Sequence, residues 1–365
     1  MLLSLLITFV TSAEPPSTQV VAAAAGVQRV PGSLLPVGDG FVAAWSERSL
    51  RGGLECHLAR LDGAGQVRAS RKIEADQCEG VRAAWSGERL GVTFRADAKY
   101  QPGRQSSRAW FQRFDAALEL LGPKVEVVDS PAQTMGFIVW NPRAEEWAVA
   151  WTAFEGRPGA ARLTRFSLDG RQVGSVGLAT GTFHGESWSL PLASGLAVAG
   201  RGYRVTLGGP LRVLAWEEGG ARELANLGED GFTADVLVDG ESTWVAWESK
   251  RGTVLHWARL DGVKPTVKTV VREVPAGSYL GWVSLLGGGK EPLLMWHELA
   301  KGGSARACSA TLPSAGQGSK PSCFGGTGGG AYFPTPARDD GGASVLWMAG
   351  AEASSASAMW LRRLP

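Results

Sequence analysis

The chain has 365 residues, of which 50 are glycine and 15 tryptophan, and its formal net charge is +2. Glycine at roughly twice its usual ~7% share, without long runs of Ala, Glu, Lys and Leu, argues against a helical bundle and for many short strands joined by tight turns. The near-neutral charge excludes a bulk polyelectrolyte mechanism, so nucleic acid is not an expected partner, although charge can still gather on one face.

Met1 to Val10 form a short apolar run, followed by Thr11, Ser12 and Ala13, small residues of the kind a signal peptidase accepts. No Lys or Arg precedes the run. The reading is a signal peptide over 1–13 and a single domain over 14–365. The run is too short to cross a bilayer, no later stretch approaches the ~20 apolar residues required, and no Cys follows the cut to carry a lipid. These features predict an exported monomer, periplasmic or extracellular, without a transmembrane segment.

One phrase then recurs along the chain. It is clearest at Val245-Ala246-Trp247, and aligning on its last residue places anchors at Trp45, Phe94, Trp151, Gly200, Trp247, Trp296 and Trp347. The spacing is close to 50 residues, one longer step apart, which is the period of a propeller blade. Turns such as Gly38-Asp39-Gly40 and Asp239-Gly240-Glu241 precede most anchor strands and predict hairpins from an inner strand. A third strand follows, ending in Leu61-Asp62-Gly63, Leu168-Asp169-Gly170 or Leu260-Asp261-Gly262, and a fourth completes most units.

The seventh unit runs out of chain after its third strand, Met359 to Leu364. A strand over Thr18 to Ala24 is free to complete it from the other end and so protect the edges of an open array. The expected fold is therefore all-β: a seven-bladed β-propeller of four-stranded antiparallel blades, closed by the N-terminal strand. Cys56 and Cys78 in unit one and Cys308 and Cys323 in unit six fall on adjacent strands of one blade, which predicts disulfides 56 to 78 and 308 to 323 and suits an oxidising compartment. The inner-strand tryptophans Trp85, Trp140, Trp188 and Trp282 and the anchor tryptophans read as packing between blades.

Pairing of a V-A-W strand with an R-L-D-G strand, as in Ala43-Ala44-Trp45 with Arg60-Leu61-Asp62-Gly63 and Val245-Ala246-Trp247 with Arg259-Leu260-Asp261-Gly262, resembles the exported β-propeller repeat proteins of bacteria, mostly without assigned function. The resemblance implies a fold and an exported setting, and no reaction. Sialidases carry Ser-x-Asp-x-Gly-x-Thr-Trp boxes on their blades, a pattern from which Ser167-Leu168-Asp169-Gly170 departs.

In a propeller the connections between blades and the loops from second to third strand share one face, where function usually sits. The second-to-third loops read here carry twelve basic residues against five acidic ones, and the binding candidates on them are Arg48, Arg51, Arg95, Lys99, Arg104, Arg108, Arg201, Arg204, Lys250 and Arg251, with the aromatic Tyr100. A basic face of this kind predicts recognition of an acidic glycan or a protein partner. Signals for catalysis are thin: Glu186, with Glu229 or Asp230 on the next connection, is the best carboxylate pair for glycoside hydrolysis. The four histidines lie on different units with no metal spacing, and no Gly-x-Ser-x-Gly elbow or phosphate-binding loop appears, so no metal or cofactor is expected and a binding or scaffold protein is favoured over the alternatives, a carbohydrate-active hydrolase or a structural component of the envelope.

Overall fold

The computed structural model describes residues 17–50, 52–101, 104–127, 136–153, 159–181, 192–231, 233–249, 252–262, 264–313, 319–325, 330–350 and 356–364. Twenty-seven strands, and no helix among the described residues, form seven sheets. Strand β1 (Ser17–Ala25) comes first in the chain and last in the ring. Blade one contains β2 (Val27–Val37), β3 (Gly40–Ser49), β4 (Leu54–Leu61) and β5 (Val67–Lys72). Blade two contains β6 (Glu79–Trp85), β7 (Leu90–Gln101), β8 (Arg104–Phe114) and β9 (Val125–Glu126), and blade three β10 (Phe137–Asn141), β11 (Glu146–Ala153), β12 (Gly159–Ser167) and β13 (Gln172–Gly181). Blade four contains β14 (Leu192–Ala199), β15 (Gly202–Glu217) and β16 (Gly220–Gly231). Blade five contains β17 (Ala234–Asp239), β18 (Ser242–Ser249), β19 (Val254–Asp261) and β20 (Lys264–Glu273). Blade six contains β21 (Tyr279–Leu286), β22 (Leu293–Leu299), β23 (Ala305–Thr311) and β24 (Ser322–Phe324), and blade seven β25 (Gly330–Asp339), β26 (Gly342–Gly350) and β27 (Ala356–Arg363).

The ring closes as the sequence predicts. β1 pairs antiparallel with β27, Thr18 opposite Leu361 and Gln19 opposite Trp360, and becomes the outer strand of blade seven. The innermost strands touch one another around the ring, and contact between β2 and β25 joins the first blade to the last.

The repeated V-A-W phrase has a packing origin. The second strand of a blade is covered on both faces, so it reads as a continuous apolar run rather than an alternating one. In β18, Val245 and Trp247 face a core shared with Leu211 and Val213 of blade four, while Trp244 and Ala246 face a core shared with Leu280 and Trp296 of blade six. β11 divides in the same way: Trp147, Val149 and Trp151 pack toward blade two, and Ala148 and Ala150 toward blade four. The anchors Trp151, Trp247 and Trp296 are fully buried, as expected of packing residues.

Blade four corrects the alignment. The sequence places Leu196 to Gly200 on a second strand, but β14 is the inner strand, in contact with β10 and β17. β15 is then a strand pair that doubles back at Gly209, whose φ is +89°. Its Gly202 lies so close to the Trp216 carbonyl that a Cβ would collide, and the Tyr203 and Trp216 rings are 5.7 Å apart; a straight strand would separate those residues by roughly 45 Å. Doubling β15 gives blade four its four rungs.

Both expected disulfides are present, Cys56–Cys78 and Cys308–Cys323. Cys308 and Cys323 face each other across the β23–β24 pair. Cys78 lies beyond β5, in the connection to blade two, so the first bridge ties blade one to the start of the next inner strand.

Candidate functional site

Each inner strand pairs with its blade along one edge and turns the other edge toward the axis of the ring. Amides on that free edge need partners, and the preceding blade supplies them. Arg29 N donates to Ser357 Oγ at 2.7 Å, Ala83 N to Ser33 Oγ at 2.9 Å, Ala193 N to Thr152 Oγ1 at 2.9 Å and Leu285 N to Asp235 Oδ2 at 2.8 Å. Phe333 N donates to His297 Nδ1 at 3.4 Å, which requires that nitrogen to be unprotonated; burial holds His297 neutral by lowering its pKa to about 4.

Five of the seven inner strands also break register at a similar height: at Gly32 in β2, between Glu79 and Arg82 in β6, at Ser194 in β14, between Gly281 and Ser284 in β21 and between Tyr332 and Thr335 in β25. A bulge bends its strand and re-aims the side chains around it. Two bulged residues are aromatic and hold left-handed backbone, Trp282 at φ +55° and Phe333 at φ +53°. Large side chains seldom accept that region, and such outliers persist where the surroundings over-determine them. Their rings meet edge to face at 4.9 Å.

The bulges of blades one, two, four and six border an axial cavity of about 670 Å³, lined from blades one to six by residues that include Gln28, Gly32, Arg82, Phe137, Asp235 and Trp282. Its size lies within the roughly 300–1,000 Å³ usual for small-molecule sites. The Arg82 guanidinium projects into it, 4.9 Å from the centre of the Trp282 ring and 5.5 Å from that of Phe137. One Nη donates to the Gly32 carbonyl, whereas Nε makes no hydrogen bond. Asp235 also lines the cavity, but its two oxygens already accept the Val236 and Leu285 amides, each at 2.8 Å. Both ionisable groups border the open bore yet are enclosed by blades on every side, so they are poorly solvated. Burial pulls Arg82 down to about 10, against the attraction of Asp235. Burial likewise raises Asp235 to about 6, against the two amides and the charge of Arg82.

Of the predicted binding residues, the structure brings Arg48 and Arg95 to this cavity. Both approach Glu79, Arg48 at 3.6 Å and Arg95 at 2.7 Å, so one carboxylate offsets two of the expected free cations. Arg108 lies on the outer half of blade two, 3.1 Å from Glu126. Lys99, Tyr100 and Arg104 belong to a long β7–β8 hairpin rather than an irregular loop, with Lys99 opposite Ser106, Tyr100 opposite Gln105 and Arg104 opposite Gln101. Arg51, Lys250, Arg251 and Glu186 lie outside the described residues.

Two placements are corrected. Arg201 and Arg204 sit at the turn between the first and second strands of blade four, at the end of the blade opposite its second-to-third turn, with Arg204 3.5 Å from Glu217. The misaligned anchor at Gly200 caused that error. Glu229 and Asp230 lie within β16, Asp230 opposite Pro210, and not on the connection to blade five. Trp282, read as packing, instead lines the cavity. The glycines embedded in inner strands, Gly32, Gly80 and Gly281, were the available signal, because an isolated glycine in a strand marks a bulge.

Among the described residues two groups of side chains have the spacing to hold a metal ion, and neither suits one. In Glu47, Glu55 and His57, Glu47 accepts Arg29 Nε at 2.7 Å and Glu55 accepts Lys72 Nζ at 2.6 Å, so both carboxylates already face cations. In Glu298, Cys308 and Cys323, the sulfurs are joined to each other and supply no thiolate.

No family model and no curated protein matches the sequence. Among solved structures, the chain is similar to the β-propeller domain of the Trilobed protease from Pyrococcus furiosus, with a TM-score of 0.53 at 9% identity over 93% of this chain and 96% of that one. The chain is a β-propeller. That domain is described as having an open velcro topology, whereas β1 here pairs with β27. The propeller is also similar to a Hadza microbial sialidase, with a TM-score of 0.53 at 9% identity over 94% of this chain and 68% of that one. At such identity the likeness concerns the fold alone, because propellers host unrelated functions.

Proposed function

We propose that this propeller is an exported binding protein whose anionic ligand enters from the loop face and seats in the axial cavity. The apolar N-terminal run and the two disulfides support export. The observation that carries the binding reading is Arg82, a cation wedged between Trp282 and Phe137 with an unused donor in a cavity of ligand size. Arg48 and Arg95 at the same cavity add positive potential for steering, partly cancelled by Glu79. The two lining carboxylates, Glu79 and Asp235, are both engaged by internal partners, an arrangement suited to holding a ligand rather than to paired acid and base chemistry.

A glycan and polyanion array read at low and moderate salt tests this. Trp282→Gly suits the left-handed backbone at that position and removes the ring from the cavity; it is expected to weaken binding by up to about tenfold, the range of one lost aromatic contact. Arg108→Ala, on the outer half of the blade, is expected to leave binding unchanged. The reverse pattern would move the ligand off the axis to the outer half of blade two and favour a protein partner.

A further inference from the structure

Resting on that reading, we infer that the axial cavity takes a carboxylated sugar ring, with its carboxylate on the free edge of Arg82. The guanidinium is flanked by Trp282 and Phe137 and held by the bond from one Nη to the Gly32 carbonyl, and its Nε is buried without a hydrogen-bond partner. A planar fork of N–H donors matches a carboxylate, which accepts two parallel bonds from it. Asp235 does not take that place: its oxygens accept the Val236 and Leu285 amides, and it forms no ion pair with Arg82.

Charge selects among anions. Arg48, Arg82 and Arg95 line the cavity against the carboxylates of Glu79 and Asp235, a surplus of one positive charge, so a monoanion is balanced there while a dianionic phosphate is not. The remaining lining selects the body of the ligand. Gln28 and Ser284 offer polar groups at the cavity wall. Val30, Val81 and Val283 lie among them, a mixture that suits a ring bearing hydroxyls on one side and C–H groups on the other. A purely aliphatic acid would leave the polar groups unpaired in a dry site, at a cost that disfavours it.

Titration calorimetry of the full chain against methyl glucuronoside, its neutral methyl ester and glucose 6-phosphate tests this, with wild type, Arg82→Gln and Arg82→Lys compared and melting curves confirming that each variant folds. The acid is expected to bind about tenfold or more tightly than the ester, the discrimination of a charge-assisted pair. The phosphate is expected to bind more weakly than the acid. Arg82→Gln should erase the preference for acid over ester. Arg82→Lys, with the charge but not the fork, should fall between. Equal binding of acid and ester by the wild type, or a preference that survives Arg82→Gln, would overturn the carboxylate assignment while leaving cavity binding to be judged by Trp282→Gly. No binding of the acid at millimolar concentration would overturn the sugar-acid class, even where the array still finds a ligand for the cavity.

Discussion

The stability difference between Glu248→Gln and the wild type is expected to shift in favour of the variant by roughly 4 kcal/mol between pH 4.5 and pH 8. Glu248 lies near the end of β18, where both faces of the strand are covered, and it is fully buried. The Thr233 amide and hydroxyl approach its carboxyl, but neither carboxylate oxygen closes a hydrogen bond. Burial therefore dominates and raises its pKa from 4.5 to about 8. The sign follows from proton binding. Below pH 4.5 the carboxyl is protonated folded and unfolded, and contributes no pH dependence. Between 4.5 and 8 the unfolded chain releases the proton while the folded chain keeps it, so stability falls as pH rises, and the loss is complete above 8. Glutamine keeps the shape and cannot ionise. Urea unfolding of both proteins across this range measures the effect, and a difference independent of pH would mean that the carboxylate finds solvent or a partner.

Trp247→Ala is expected to cost about 3–5 kcal/mol, the range for truncating a large buried aromatic. The indole has no exposed surface and fills the wedge between blades four and five, against Leu211 and Val213. A ring of seven rigid blades has little freedom to collapse into the space left behind, which places the cost toward the upper end. Thermal and denaturant unfolding would show it. A loss below 1 kcal/mol would contradict the view that the repeated tryptophan is a packing element.

How much of this was legible follows from the kind of signal each feature leaves. Val245-Ala246-Trp247 announces a strand covered on both faces, and its recurrence gives the blades. The strand from Ser17 to Ala25 and the paired cysteines could be read because strand supply and cysteine placement are properties of the chain order. Leu196-Ala197-Val198-Ala199 imitates an anchor strand, and the reversal at Gly208-Gly209-Pro210 carries none of the charged residues that mark such loops elsewhere, so blade four slipped by one strand. The cavity left little trace. Its walls depend on bulges at Gly32, Gly80 and Trp282, and a register shift of one residue redirects every side chain after it. Loop charge was also a poor guide, because Arg95 reaches Glu79 and Glu298 accepts both Arg272 and Arg306 only once the chain is folded.

The central claim is that the ligand lies on the ring axis. A crystal structure of the full chain soaked in methyl glucuronoside tests it most directly. The account predicts density for the ring in the axial cavity, with the carboxylate against Arg82 and the body beside Trp282. Density for the sugar on the loop tips, with only water along the bore, would contradict it.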